Sequence, residues 1–406
     1  MLWHDFHSRG GSTLDPSSFA ECLHQAMKDT AELERRHIIR FATAQDYDAF
    51  ACHMNLKSKS FPQLRQVRPL RLIRAISCPL SSVDRIASTP FVQSVEADVR
   101  IRLHARGPSS GSSSLYAGTP AAADPEAVKI PWGIRHIRAP EVWSKSRGDQ
   151  IRIAVIDTGA DYSHPDLRHC LSRGINVLSH QPYPIDDNGH GTHIAGTIAA
   201  YTNQRGIVGV APQALIHPVK AFDNQGGAFV SDIVKGIDWC VANGMDIINM
   251  SFGMRTYSKA LEAAVLSAYR AGIIVIASSG NEGKRAEIDY PARFPQVIAV
   301  GATTRRGRIA SFSNDGKQID IYAPGENIYS TWLQGKYREL SGTSMATSHV
   351  TGVVALMLSL KPDLKPLRIR MLLRKNARLI LKPGKRDCIK ELHALRTVSA
   401  LFRKKK

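Results

Sequence analysis

The sequence predicts an α/β protein with a mostly parallel sheet flanked by helices on both faces, preceded by a small α+β domain. From about residue 130, short β-branched runs alternate with helical stretches. These runs are continuously apolar, which is typical of parallel strands buried on both faces. The chain has 406 residues, 43% of them hydrophobic, so it is long enough for one large domain and a small companion.

The order of the segments predicts five regions. Residues 1–34 form an N-terminal extension, and residues 35–104 alternate strand, helix, strand pair, helix and strand, the last strand being VQSVEADVRIRL. Residues 105–126 are rich in Gly, Ser, Pro and Ala, which predicts a flexible linker. The large domain covers 127–382, and a basic tail covers 383–406.

The formal net charge of +19 is concentrated near the end of the chain, where residues 361–406 contain 16 Lys or Arg against 3 Asp or Glu. Such a segment can bind nucleic acid. We favour a solvated helix with a basic end, because its charges alternate with apolar residues at helical spacing.

Neither a membrane segment nor an export signal is expected. No apolar run approaches the roughly 20 residues that span a bilayer, and the first residues lack an apolar signal core. The cysteines lack the CxxC spacing of zinc sites and the density of a disulfide framework. We therefore predict a cytoplasmic protein with reduced thiols, with leaderless export as the alternative.

Three polar residues stand at strand or helix ends of the large domain. Taken singly, Asp157 is explained as a turn or cap residue and Ser344 as a helix N-cap. A zinc site at His190 and His193 fails on spacing, and His193 alone is best explained as a packed structural residue. Together, however, a Ser hydroxyl, a His that accepts its proton and a carboxylate that orients the His form a nucleophilic set.

Five sequence blocks carry a family resemblance. IDTGAD, DDNGHGTHIAG, INMSFG, ASSGNEG and SGTSMATSHVTG resemble the signature blocks of the subtilisin-like serine proteases, in the family's order and spacing. The resemblance implies a monomeric serine endopeptidase acting on proteins or peptides. It makes Asp157 the orienting carboxylate, His190 the general base and acid, Ser344 the nucleophile of an acyl-enzyme, and Asn281 the oxyanion donor.

The first unit, 35–104, resembles the family's ferredoxin-like propeptide. The resemblance implies a self-processed zymogen, in which the propeptide is an intramolecular inhibitor and its last strand adds to the substrate cleft. The cleft edges implied for that pairing are Gly226, Gly227 and Ala228 on one side and Ser251, Phe252 and Gly253 on the other.

Two acids are predicted around the primary specificity pocket. Alignment on Tyr290 and Pro291 puts Asp289 at the pocket base, where the family often has a small residue, and Glu282 at the rim. A buried carboxylate favours a cation, so we predict Lys or Arg before the scissile bond. The alternative, two solvent-facing acids in a loop, stays open.

A structural calcium ion is also implied by the family resemblance. Its oxygen ligands would come from Asp166, Asn203 and the carbonyls of Tyr201, Arg205 and Ile207. Val128 stands near a position where the family often has a further polar ligand, which weakens the match.

Two other functions remain open from the sequence. A protease fold can serve as a catalytically silent binding protein, since a fold alone does not prove activity. The basic C-terminal segment can bind nucleic acid, in which case its affinity would fall with added salt.

Overall fold

The computed structural model describes residues 16–27, 36–57, 61–104, 128–179, 181–202, 205–381 and 388–403. The linker predicted at 105–126 and the candidate ligand Asn203 lie outside these ranges. The chain divides into two compact units, Met1–Val99 and Arg100–Lys406.

The first unit is a four-stranded antiparallel sheet in the order β2-β3-β1-β4 with helices packed on it. Its elements are α1 (Pro16–Met27), β1 (Arg36–Phe41), α2 (Ala44–Lys57), β2 (Arg68–Leu70), β3 (Ala75–Pro79), α3 (Asp84–Ala87) and β4 (Val92–Ala97).

The core of this unit is aromatic. Phe19 of α1 meets the rings of Phe41 and Phe50 edge-on, and all three are buried. Aromatic pairs in this arrangement add to the free energy gained by burial. Helix α1 therefore packs in the α+β unit, although it belongs to the segment 1–34 that the sequence analysis set apart.

The single strand predicted over VQSVEADVRIRL is interrupted at Asp98. This residue is buried, its carboxylate accepts a hydrogen bond from Ser77 Oγ at 2.8 Å, and Arg36 approaches it to 3.4 Å. A buried carboxylate needs such partners. They end β4 at Ala97, and the next strand begins at Arg100 in the second unit.

The second unit contains the remaining strands and helices. These are β5 (Arg100–Leu103), β6 (Val128–Lys129), α4 (Trp132–His136), β7 (Arg152–Asp157), β8 (Ile175–Asn176), α5 (His190–Ala199), β9 (Gly206–Ile207), β10 (Leu215–Lys220), β11 (Gly227–Phe229), α6 (Val230–Ala242), β12 (Ile247–Met250), β13 (Phe252–Gly253), α7 (Lys259–Arg270), β14 (Ile274–Ser278), β15 (Ile298–Thr303), β16 (Ile321–Pro324), β17 (Ile328–Trp332), β18 (Lys336–Leu340), α8 (Thr343–Leu360), α9 (Pro366–Asn376), β19 (Arg378–Leu381), β20 (Cys388–Glu391) and α10 (Ala394–Ser399).

Its main sheet has nine strands in the order β19-β20-β16-β15-β14-β12-β7-β10-β8. Every pair is parallel except β19 with β20. Two-stranded sheets form from β17 with β18 and from β6 with β9, and a three-stranded sheet has the order β11-β5-β13.

Helices cover both faces of the main sheet, as predicted. Val155 of β7 belongs to the core that includes α5 and α8, whereas its neighbour Ile156 faces Gly236 of α6. Successive strand residues point to opposite faces, so a strand buried on both must be apolar throughout.

Helix α8 is long and apolar enough to cross a membrane by length and composition alone, but it lies inside this core.

The tail predicted at 383–406 differs from the structure over 388–399. There β20 extends the main sheet, and α10 packs on α8 and α9. The basic composition of this segment predicted a solvated tail and did not indicate β20. Glu391 of β20 is buried, contacts Arg378, and lies 3.1 Å from His136 Nε2, so this acid has basic partners inside the fold. Burial would raise the pKa of this carboxyl, but His136 and Arg378 more than offset it and hold the pKa below its usual value.

Candidate active site

The first part of the site is the carboxyl end of β7, where Asp157 is fully buried. Its Oδ1 accepts a hydrogen bond from His190 Nδ1 at 2.7 Å and from the Thr158 amide at 2.8 Å. Bonding through Nδ1–H leaves His190 Nε2 free to accept a proton. The structure thus joins the first two predicted catalytic residues.

The start of α5 holds His190 in place. Asp186 accepts hydrogen bonds through Oδ1 from the Gly189 amide, at 2.9 Å, and through Oδ2 from the amide and hydroxyl of Thr192, at 2.9 and 2.6 Å. A carboxylate at this end satisfies unpaired amides and complements the helix dipole. A Cβ on Gly191 would lie 2.2 Å from the Gly159 carbonyl oxygen, so the helix can approach the β7 turn only with glycine there.

The start of α8 presents Ser344, the second residue of the helix. Its hydroxyl oxygen lies 2.9 Å from the His104 carbonyl oxygen and 3.0 Å from that of Ser251. Within the described part of the chain, His190 Nε2 is buried and has no hydrogen-bond partner. The hydroxyl is therefore not hydrogen-bonded to its predicted base, and such a bond often forms only in the reacting complex.

Asn281 is oriented by the residue before Ser344. The amide and hydroxyl of Thr343 both donate to Asn281 Oδ1, each at 2.9 Å. This fixes the carboxamide so that Nδ2 donates to the His104 carbonyl oxygen at 2.6 Å. The side-chain amide therefore points at a peptide carbonyl, which is the geometry of an oxyanion donor.

The predicted cleft edges are both paired with β5. Gly227 and Ala228 of β11 face Arg102 and Ile101, and Phe252 and Gly253 of β13 face Leu103 and Arg102. Two further backbone bonds complete the pairing, Leu103 N to Gly226 O at 3.3 Å and His104 N to Ser251 O at 3.2 Å. An extended peptide thus lies between the two edges as an added strand.

The two predicted pocket acids have different environments. Asp289 is buried and its Oδ2 lies 2.9 Å from His104 Nε2. Glu282 is exposed, and its carboxylate accepts a hydrogen bond from Asn314 Nδ2 at 2.8 Å. Of the two acids, only Asp289 therefore contacts His104, the residue that follows β5.

The predicted calcium region is centred on Asp166. Its Oδ2 accepts from the Ile207 amide at 2.9 Å and from the Tyr337 hydroxyl at 2.8 Å, while Oδ1 is buried and has no partner among the residues that the structure describes. The Arg205 carbonyl accepts from Thr202 Oγ1 at 2.8 Å, and Tyr201 N donates to the Asp166 carbonyl. In the described ranges no group of three or more His, Cys, Asp or Glu could hold a metal. The free Oδ1 still fits one oxygen ligand of a hard cation.

Two buried charged or titratable side chains flank the catalytic residues. Burial lowers the pKa of His193 to about 3, and its Nε2 donates to the Ile328 carbonyl at 2.9 Å. His193 is thus a neutral structural residue, as the sequence analysis favoured. Lys220, in register with Asp157, donates to the Thr158 carbonyl at 2.7 Å and to Asp187 at 2.6 Å, which braces the turn after β7.

Sequence reasoning missed Thr343, Asp186, Ser278 and His104. Asp186 had a readable signal, because an Asp three residues before a Gly is typical of a side-chain-capped turn. Thr343 lies in the block SGTSMATSHVTG, from which the sequence analysis identified only Ser344. The contacts of His104 with Ser278 and Asp289 span 174 and 185 residues, so no local pattern could predict them.

The buried Asp–His pair, the serine at a helix start and the aimed carboxamide define a serine hydrolase acting on a peptide held as a strand. Comparison with known proteins gives the family. The model of the Subtilase family matches residues 148–399, and the chain belongs to this family of serine-type endopeptidases.

Several curated proteases are similar to this chain. A thermostable alkaline protease of Halalkalibacterium halodurans is 44% identical over 256 residues, covering 63% of this chain and 70% of that protein. Subtilisin DY of Bacillus licheniformis is 42% identical over 248 residues, covering 60% and 90%. Subtilisin E of Bacillus subtilis is 44% identical over 249 residues, covering 60% and 65%. The match extends beyond residue 382, where the sequence analysis ended the domain.

Proposed function

We propose that this endopeptidase hydrolyses peptide bonds through Asp157, His190 and Ser344, with Asn281 as the side-chain oxyanion donor. The observation that carries the proposal is the 2.6 Å hydrogen bond from Asn281 Nδ2 to a peptide carbonyl that also lies 2.9 Å from Ser344 Oγ. The proposed nucleophile and the proposed donor thus meet at the oxygen of one peptide carbonyl, where the negative charge of the intermediate would develop.

The mechanism follows from these groups. His190 Nε2 takes the Ser344 proton as Oγ attacks the carbonyl carbon, and Asp157 stabilises the resulting imidazolium through Nδ1–H. Asn281 bonds the negative oxygen of the tetrahedral intermediate. His190 then protonates the leaving amine. Water hydrolyses the acyl-enzyme, and His190 takes a proton from the water and returns it to Ser344.

Hydrolysis of a protein substrate tests this function. We expect turnover by the wild type and a loss of several orders of magnitude in kcat in Ser344→Ala and in His190→Ala, because each variant removes one member of a set of residues that act together. Retained turnover in Ser344→Ala would contradict the proposal. Binding of substrate without turnover in the wild type would favour the silent binding protein instead.

For the substrate preference, the proposal is Lys or Arg before the scissile bond. Its support is that Asp289 is buried at the pocket, with Oδ1 lacking a partner among the described residues. Peptides ending in Arg, Lys and Phe test it through kcat/KM, and we expect the cationic ones to be cleaved faster in the wild type but not in Asp289→Ala. Equal or faster cleavage after Phe would contradict this preference.

We also propose that the segment 35–104, which ends with β5, acts as an intramolecular inhibitor that the enzyme removes. The support is β5, which fills both cleft edges and would exclude a substrate strand. Full activity of an unprocessed chain would contradict it. The processed enzyme is proposed to be a monomer, which sedimentation would test.

A structural calcium ion at Asp166 is a further proposal. Its free Oδ1 and the carbonyls of Tyr201, Arg205 and Ile207 would supply oxygen ligands, together with Asn203. Calcium there would stabilise the folded chain without entering the reaction. We expect a chelator to lower the melting temperature of the wild type and not of Asp166→Ala; an unchanged wild-type value would contradict the site.

Residence in a reducing cytoplasm is proposed from the thiols. All six cysteines are unpaired, and Cys52 and Cys388 are exposed. Fractionation of producing cells would test this location. Activity found mainly in the medium would favour leaderless export.

A further inference from the structure

His104 lies where the residue before a scissile bond belongs. Its carbonyl oxygen accepts from Asn281 Nδ2 at 2.6 Å and lies 2.9 Å from Ser344 Oγ. A Cβ on Gly342 would come within 2.5 Å of the same oxygen, so glycine there leaves the space that the oxygen occupies. The carbonyl group of His104 thus meets both the proposed nucleophile and the proposed donor.

The side chain of His104 is held by both ring nitrogens. Nε2 lies 2.9 Å from Asp289 Oδ2, and Nδ1 lies 2.7 Å from Ser278 Oγ. The residue is 5% exposed, and a Cβ on Gly253 would lie 2.4 Å from its Cε1. The Ser278 hydroxyl can donate to Nδ1 of a neutral ring or accept from a charged one. The pocket therefore matches an imidazole in shape and in hydrogen bonding.

Arg102 does not occupy this position. Arg102 pairs through its backbone with Gly227 and Gly253, and its side chain is exposed. A phenylalanine at position 104 would leave the Asp289 carboxylate and the Ser278 hydroxyl buried without the imidazole, which is costly for a charged group.

We propose that Asp289 and Ser278 hold histidine before the scissile bond in self-cleavage, in addition to the Lys and Arg proposed for peptide substrates, and that the enzyme processes itself at the bond between His104 and Ala105. Ala105 enters only as the next residue in the sequence. The inference rests on the proposed function of Ser344. It adds which bond is cleaved and which residues select that bond.

The cleavage conserves atoms and charge. Ser344 Oγ bonds to the His104 carbonyl carbon, His190 takes the Ser344 proton, and the bond from that carbon to the Ala105 nitrogen breaks as His190 returns the proton to the amine. Water then attacks the acyl carbon and gives a proton to His190, the bond from that carbon to Ser344 Oγ breaks, and His104 is released as a carboxylic acid that ionises by losing a proton to solvent. The proton passes from His190 back to Ser344.

N-terminal sequencing of purified full-length chain tests the bond. We expect a new terminus at Ala105 in the wild type and none in Ser344→Ala. A terminus at Leu103 or Gly107, which would mean cleavage after Arg102 or Arg106, overturns the inference. Labelling of Ser344 by a phosphonylating reagent is measured in the same samples, so a labelled enzyme with the wrong terminus separates this failure from failure of the proposed function.

A pair of variants tests the selection. His104→Phe is expected to slow processing about 100-fold, because a site built for hydrogen bonds rejects an analogue that lacks them. Adding Asp289→Ala to His104→Phe should restore much of the rate, since the unpaired carboxylate is gone. Processing of His104→Phe at the wild-type rate, or no recovery in the double variant while Ser344 still labels, overturns the selection.

The matched control is Glu287→Gln, an acid-to-amide change in the same segment. Glu287 is exposed and pairs with Arg293 at 2.6 Å. The Glu287→Gln variant is expected to process itself at the wild-type rate, whereas Asp289→Asn should slow processing at least 10-fold. If both variants slow processing equally, the effect comes from charge in the loop and the role of Asp289 is refuted.

Discussion

Individual residues orient the catalytic groups through side chains that never touch the reacting bond. Asn281 can aim its amide only because Thr343 fixes the carbonyl end of its carboxamide with two hydrogen bonds of 2.9 Å. The recognised blocks gave the four proposed catalytic residues but not this relation, because it joins positions 62 residues apart.

Thr343→Val keeps the backbone donor and removes the hydroxyl. We expect kcat to fall about 5- to 30-fold with little change in KM, because the lost hydrogen bond positions a donor used mainly in the transition state, at about 1–2 kcal/mol. Steady-state kinetics on one peptide measures it.

Thr347→Val is the control, since its hydroxyl donates to the Thr343 carbonyl within the same helix and not to Asn281. A loss of kcat as large as in Thr343→Val would show that helix packing, not orientation of Asn281, causes the effect.

Single elements explain where sequence prediction succeeded and where it failed. The runs of β7, β14 and β15 were predictable because burial on both faces requires nearly continuous apolar residues. The four-residue strand β20 contains Glu391, whose burial depends on Arg378 and His136, 13 and 255 residues away. Such long-range compensation leaves no periodic signal.

Helix α5 depends on Asp186. Asp186→Asn removes the acceptor used by both donors of Thr192, so we expect a loss of about 1–3 kcal/mol in the free energy of unfolding and a lower kcat, because His190 starts this helix. Urea unfolding in the Ser344→Ala background and kinetics in the active enzyme measure the two effects.

Asp246→Asn serves as the comparison. Asp246 accepts from the Arg152 amide at 2.8 Å, before the first residue of β12 and away from the catalytic edge of the sheet. It should change stability without changing kcat; an equal fall of kcat in both variants would remove the special role of Asp186.

At the scale of the whole molecule, the large unit buries titratable groups in its core. Burial lowers the pKa of His193 to about 3 and that of His349 to about 4. In the unfolded chain both titrate near the ordinary value of about 6.5. Between these values the unfolded state binds more protons, so the contribution of these two groups to the free energy of unfolding is largest above pH 6.5 and falls as the pH drops toward 4.

His349→Asn tests this dependence. The amide of Asn can replace His349 Nδ1, whose partner is the Met345 carbonyl at 2.8 Å, but it does not titrate. Between pH 6.5 and 5 the variant should lose about 2 kcal/mol less than the wild type, at about 1.4 kcal/mol per pH unit for one group. Urea unfolding followed by tryptophan fluorescence, in the Ser344→Ala background, measures it; identical losses would contradict the assignment.

Ser344 is proposed to be a nucleophile activated by His190. A phosphonylating serine-hydrolase reagent followed by peptide mass spectrometry tests this role. We expect one modified peptide, labelled at Ser344, with labelling slowed by orders of magnitude in His190→Ala and absent in Ser344→Ala. Label on another serine, or labelling of Ser344 at the same rate without His190, would contradict it.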